Sequence, residues 1–209
     1  MPELRFQVEG VDAVPYAAAP LLVFRIRVDN ASPGEMLHSV AVQCQIQIQS
    51  ARRRYTAGEQ QGLIDLFGSP DRWSLTLRNM LWTHSHFVVP GFQGAVVVDL
   101  PVHCTFDFNV AATKYFSAIG EGDVPILLQF SGTAFYEGED GALRISPIPW
   151  NREAEFKLPI EVWKQMMDLY YPNTAWMHLR RDVFERLLAY KALHGIPTWE
   201  QTIESMLPS

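Results

Sequence analysis

Apolar and polar residues alternate along Val40-Ala41-Val42-Gln43-Cys44-Gln45-Ile46-Gln47-Ile48-Gln49. Successive side chains of an extended strand point to opposite faces, so Val40, Val42, Cys44, Ile46 and Ile48 share one face and four glutamines take the other. Such a run is a half-buried antiparallel strand with one wet face. The same period runs through Leu22, Phe24, Ile26 and Val28, which alternate with Val23, Arg25, Arg27 and Asp29. Asn30-Ala31-Ser32-Pro33-Gly34 between the two runs is dense in turn formers, so they are expected to pair through that loop. Leu4, Phe6 and Val8 predict a first strand before Gly10.

Period two then stops. Thr56-Ala57-Gly58-Glu59 has the form of a capping box and precedes Leu63, Ile64, Leu66 and Phe67 at helical spacing. Ser69-Pro70-Asp71 opens a second short helix carrying Trp73, Leu77 and Met80. Residues 56–80 thus form a helical insertion expected to plug one end of a sandwich. Strands resume at 81–89, which stops at Pro90-Gly91, with 95–100 as the expected hairpin partner. Residues 102–108 read as extended and 110–118 as a short helix. Runs 125–136 and 143–145 flank the polar turn Glu137-Gly138-Glu139-Asp140-Gly141 as a hairpin, and 153–158 is a last strand.

The final quarter changes character. Pro159 can open a helix carrying Val162, Trp163, Met166, Met167, Leu169 and Tyr170. Asp182-Val183-Phe184-Glu185 has capping-box form, and Thr198 can cap a last helix. Many short strands with turn signals between them make the chain mainly β: a mostly antiparallel β-sandwich with a helical insertion and a C-terminal helical tail. Residues 1–158 form the sandwich and 159–209 the tail, expected to pack on it as one structural unit.

The net charge of -6 argues against a nucleic-acid binder, which needs a concentrated basic face; the one basic run, Arg52-Arg53-Arg54, reads as a solvated strand end or loop. No run approaches the roughly 20 apolar residues of a membrane span, and no secretory signal is visible, so a cytoplasmic location is expected. Cys44 and Cys104 are too few for a disulfide framework and fit reduced thiols, with a single bridge as the alternative.

Chemistry has few footholds. The chain has no Gly-x-Ser-x-Gly elbow and no phosphate-cradling Gly-rich loop ending in Lys-Ser/Thr, so no catalytic residues and no cofactor are expected. His84 and His86, two apart on a strand, project from one face and with His103 form a candidate zinc or copper site. Against that stands a plainer role as polar-face histidines at a sheet edge. Trp163, Met166, Met167, Tyr170, Tyr171, Trp176 and Met177 crowd the tail. Trp, Tyr and Met are enriched in interface cores, so Trp163, Tyr171, Trp176 and Met177 are the candidate partner-binding residues, with intramolecular core as the competing reading.

A set of short segments occurs in a familiar order: Arg53-Arg54-Tyr55, Leu66-Phe67-Gly68, Arg72-Trp73, Leu81-Trp82-Thr83-His84, Val89-Pro90-Gly91-Phe92, Asp99-Leu100-Pro101-Val102, Lys114-Tyr115, Phe130-Ser131-Gly132-Thr133, Pro149-Trp150 and Met167-Asp168-Leu169-Tyr170. On these the chain resembles the bacterial domain-of-unknown-function family 6084 over nearly its whole length. Members of that family look similar to proteins encoded beside nickel–iron hydrogenase genes. The resemblance implies a non-catalytic accessory or assembly role by protein–protein contact, with hydrogenase subunits or maturation factors as partners. A metal-binding sandwich using the strand histidines is the alternative.

Overall fold

The computed structural model describes residues 2–32, 34–105, 110–175 and 177–207. Among them are seven strands: β1 (Leu4–Ala13), β2 (Leu21–Asn30), β3 (Leu37–Ile48), β4 (Met80–Val89), β5 (Ala95–His103), β6 (Asp123–Glu137) and β7 (Leu143–Pro159). They form a three-stranded sheet in the order β1-β2-β5 and a four-stranded sheet in the order β4-β3-β6-β7, antiparallel throughout. The alternation explains the pairing of faces. Leu22, Phe24, Ile26 and Val28 of one sheet and Val40, Cys44, Ile46 and Ile48 of the other are wholly buried. Phe6 stacks on Phe130 with centroids 4.3 Å apart, and Phe24 meets Trp82 and Phe156 edge-on. Each fully buried aliphatic or aromatic side chain contributes about 1.5–3 kcal/mol of transfer free energy. The chain is a mainly-β sandwich, as the alternation predicts.

Strand positions agree with the sequence more closely than strand partners do. β2 and β3 do not pair: β2 lies between β1 and β5, while β3 lies between β4 and β6. Likewise β4 and β5 belong to different sheets rather than to one hairpin. Turn residues mark where the chain bends, but the sheet it returns to is decided by which faces must be buried together. The 143–145 and 153–158 runs are parts of one strand, β7, paired with β6 along its length. Gly132 shows why this sequence suits the centre of the sheet. Its φ is +141°, and a Cβ there would lie 2.0 Å from the Ala41 carbonyl oxygen, so only glycine lets β6 approach β3 this closely.

Helices close the end of the four-stranded sheet where β3 ends and β4 begins. Between those strands run α1 (Ala57–Gly62), α2 (Ile64–Phe67) and α3 (Trp73–Thr76), with 3-10 turns at Ser50–Arg52 and Pro70–Arg72. The Thr56 capping box is complete: the Thr56 hydroxyl accepts from the Glu59 amide, and the Glu59 carboxylate accepts from the Thr56 amide. Two more helices, α4 (Val110–Ala118) and α5 (Ile160–Tyr170), join them. Tyr55 and Phe67 meet Tyr115 of α4, Trp73 packs edge-on against Tyr55 and Phe67, and Phe116 of α4 packs on Trp82 and on Trp163 of α5.

Within the basic run Arg52 and Arg54 are exposed, but Arg53 is not solvated. The Arg53 guanidinium, nearly buried, donates to both Glu59 carboxylate oxygens at 3.1 Å and to the carbonyls of Glu121 and Asp123. Glu59 also accepts from the Gly120 amide at 3.0 Å, and Arg52 pairs with Glu155. A buried charge persists only when paired and hydrogen-bonded, which these contacts supply.

The chain divides into two compact units, Met1–Asn173 and Thr174–Ser209, so α5 belongs to the sandwich unit. The second unit holds α6 (Arg181–Leu193) and α7 (Trp199–Glu204). α6 opens at Arg181 without a side-chain cap, so Asp182 lies inside its first turn instead of capping it, and Glu185 pairs with Arg181 at 2.9 Å. Thr198 does cap α7, accepting from the Gln201 amide at 3.2 Å. The expected continuation of the 102–108 run past Thr105 lies outside the described residues. No helix among the described residues is long and apolar enough to cross a membrane.

Candidate contact surface

The outer face of the four-stranded sheet changes chemistry along its strands. Near the helical end the register aligns His84, Gln45, Gln129 and Glu153. Here the side chains hold one another: Gln45 and Gln47 both donate to Gln129 Oε1, at 3.3 and 3.0 Å, and His84 Nε2 bonds Gln45 Oε1 at 3.1 Å. Toward the other end the amides give way to apolar groups. Val88, Ala41, Thr133 and Pro147 form one register row across all four strands, and Ser39, Phe135 and Ile145 form the next. Val88 is 67% exposed and Ile145 and Leu143 are 65% exposed, while Ala41 and Pro147 also face solvent. The outward positions of a sandwich strand are ordinarily polar, so this largely apolar band, interrupted by Thr133 and Ser39, is the candidate contact surface. A shallow depression of about 330 Å3 lined by Ala41, His86, Val88 and Thr133 lies within it.

The margin of this face is shaped by β7. Three residues, Pro149, Trp150 and Asn151, stand opposite the single Ser131, since Phe130 pairs with Arg152 and Gly132 with Ile148. The bulge pushes Trp150 out to 90% exposure. At the hairpin end lies an open cleft of about 740 Å3 lined by Glu35, Met36, Tyr136, Glu137, Glu139 and Arg144. Arg144 is engaged with Asp140 at 3.2 Å, and among the described residues no cation pairs with Glu137 or Glu139. At the sandwich's opposite, helical end, Tyr16 is 98% exposed in a left-handed conformation with φ +62°, which costs a bulky residue roughly 1 kcal/mol. Its loop is held from beneath by Tyr170, whose hydroxyl accepts from the Ala17 amide and donates to the Val14 carbonyl.

The residues singled out from sequence fall in several places. Trp163 is 4% exposed and packs on Phe116, so it is core and not contact surface. Helical spacing had turned that stripe inward. Tyr171 is partly buried against the core, Met177 is exposed in the second unit, and Trp176 lies outside the described residues. His84 and His103 line one groove of about 390 Å3 with Ser85, whereas His86 borders the apolar depression. Among the described residues no three His, Cys, Asp or Glu side chains gather to hold a metal ion. The Ser85 hydroxyl donates to the Pro101 carbonyl at 2.5 Å and so is engaged by backbone. Burial pushes the thiols of Cys44 and Cys104 up to about 12, which keeps both protonated at neutral pH. Sequence reasoning passed over Val88, Leu143, Ile145 and Trp150. The signal was available in part: on β7 the alternating partners of buried Ser146 and Ile148 are apolar too.

Fold and surface together define an antiparallel β-sandwich with a helical cap at one end and an open apolar face at the other. The chain belongs to the Family of unknown function (DUF6084), whose model matches residues 1–209. No curated protein matches it. Among solved structures it is similar to a CARDB domain in complex with di-metal ions from Pyrococcus furiosus, at 14% identity and TM-score 0.29, covering 76% of this chain and 92% of that one. A putative late embryogenesis abundant protein is similar at 16% identity and TM-score 0.34, covering 76% and 73%. A β-glucosidase from Kluyveromyces marxianus matches at 9% identity and TM-score 0.28, covering 75% of this chain but 15% of that one. Likenesses at this level carry no inference about activity.

Proposed function

We propose that this chain is a non-catalytic accessory or assembly protein that works by contact with another protein, through the outer face of its four-stranded sheet. The observation that carries this reading is the outward row of Val88, Ala41, Thr133 and Pro147, exposed at all but the half-buried Thr133 and continued by Ile145 and Leu143. Apolar side chains held on a paired sheet lose little further freedom when covered, so their burial translates into affinity with small ordering cost. The partner class is a nickel–iron hydrogenase subunit or maturation factor in the cytoplasm, a reading that rests on the family resemblance. Affinity purification of the tagged full chain from its native host tests it. Recovery of hydrogenase subunits or maturation factors by the native chain, with loss in a Val88→Ser/Ile145→Ser variant, is the expected result. Recovery unaffected by that variant would sink the assignment of the face.

A second reading takes His84 and His103 as a metal-carrying pair, because both line one groove. Elemental analysis of the purified protein without stoichiometric nickel, copper or zinc removes it.

A further inference from the structure

Resting on the contact reading above, we infer that the outer face takes a basic amphipathic helix of a partner protein, apolar side on the band and Lys or Arg toward the hairpin cleft. Dimensions come first. Four strands about 4.8 Å apart make the band roughly 14 Å across at its widest row, and the four steps from Leu143 to Pro147 make it roughly 13 Å long. A helix is about 10–12 Å in diameter, so some two or three turns would cover this surface.

Charge selects the occupant. The band runs into the cleft holding Glu137 and Glu139, through the pairs Phe135 with Ile145 and Glu137 with Leu143. Arg144, the cation of that cleft, is already engaged by Asp140. A second copy of the chain, itself at net charge -6, presents the same acidic cleft beside the same band and so brings no surplus of positive charge to Glu137 and Glu139. Strand addition is hindered at the margin beside the cleft. That margin is β7, where Pro147 and Pro149 carry no N–H and the Trp150 bulge interrupts the ladder, while β4, the other margin, lies across the sheet from Glu137. A segment lying across the face, apolar beneath and basic at one end, meets all three constraints.

The test uses the full chain and two fluorescently labelled synthetic helices of about 12 residues, one of Leu and Lys and one of Leu and Glu at the same spacing. Anisotropy titration should give the Leu/Lys helix at least about tenfold tighter binding. Val88→Ser/Ile145→Ser should weaken that binding at least about tenfold, and Glu137→Lys/Glu139→Lys should reverse the preference, with far-UV circular dichroism unchanged in both. Equal binding of the two helices, binding indifferent to the serine variant, or a concentration-dependent dimer abolished by that variant would each overturn the inference. Capture from the native host separates it from the contact reading. If the serine variant loses the native partner while the charge reversal keeps it, the contact face stands and the basic helix does not.

Discussion

The Arg53 guanidinium and the Glu59 carboxylate face each other through two hydrogen bonds of 3.1 Å, with side-chain exposures of 11% and 5%. Around them converge the amide of Thr56, which caps α1, the Gly120 amide and the carbonyls of Glu121 and Asp123. One ion pair thus ties the helical insertion to the start of β6.

Removing one partner leaves the other buried and uncompensated. Glu59→Gln is therefore expected to cost roughly 3 kcal/mol in urea unfolding, well beyond the loss of a single surface pair. A cost under about 1 kcal/mol would mean that water reaches Arg53.

The same pair sets a pH dependence. Burial pushes the Glu59 carboxyl up, but the Arg53 guanidinium and the Thr56 and Gly120 amides outweigh it and hold the group below its ordinary 4.5. A carboxyl depressed in the folded state contributes stability above its unfolded pKa and loses it as pH falls through the folded one. The stability gap between the native chain and Glu59→Gln should thus be full at pH 6 and shrink below about 4.5, as read by urea titrations at each pH.

Tyr55 and Tyr115 should respond unequally to loss of their hydroxyls. Tyr55 donates to the Ser50 carbonyl at 2.7 Å and lies 2.8 Å from the Tyr115 hydroxyl, so Tyr115 is left as donor to Tyr55. Tyr115→Phe deletes one bond and is expected to cost about 1 kcal/mol. Tyr55→Phe strands both the Ser50 carbonyl and the Tyr115 hydroxyl and should cost about twice that in thermal or urea unfolding. Equal costs would reject this donor order.

Buried thiols pushed up to about 12 are poor nucleophiles at neutral pH. Cys44 and Cys104 are expected to resist iodoacetamide at pH 7.5 in the folded chain and to react fully in denaturant, counted by mass spectrometry. Rapid labelling of the native protein would show that one of them is reachable.

Tyr170→Phe removes both hydrogen bonds that hold the 14–17 loop. The expected outcome is faster chymotryptic cleavage after Tyr16, with a global loss of about 1–2 kcal/mol. Unchanged cleavage would mean that the loop keeps its shape without the pin.

Period-two alternation made the strands of this sandwich legible, and the Thr56 box located α1, because both are local patterns. Partners were not legible. Asn30–Gly34 looked like a hairpin turn, yet the chain leaves one sheet there and enters the other. The burial of Arg53 depends on Glu121 and Asp123, some 70 positions away, and no window on the sequence contains that distance. The candidate surface was half legible. Trp163 carried the right residue type but sat on the inward stripe of α5, whereas Val88 and Ile145 looked like ordinary strand residues until the register placed them together on an outer face.

The Tyr170 pin joins atoms 153 and 156 positions apart in the chain. During synthesis, β1 and β2 leave the ribosome long before α5 exists, so their connecting loop stays unclamped until nearly the whole first unit has been made. The strained backbone at Tyr16 is thus among the last local conformations to be locked in, and a nascent chain stalled before residue 170 would still lack it.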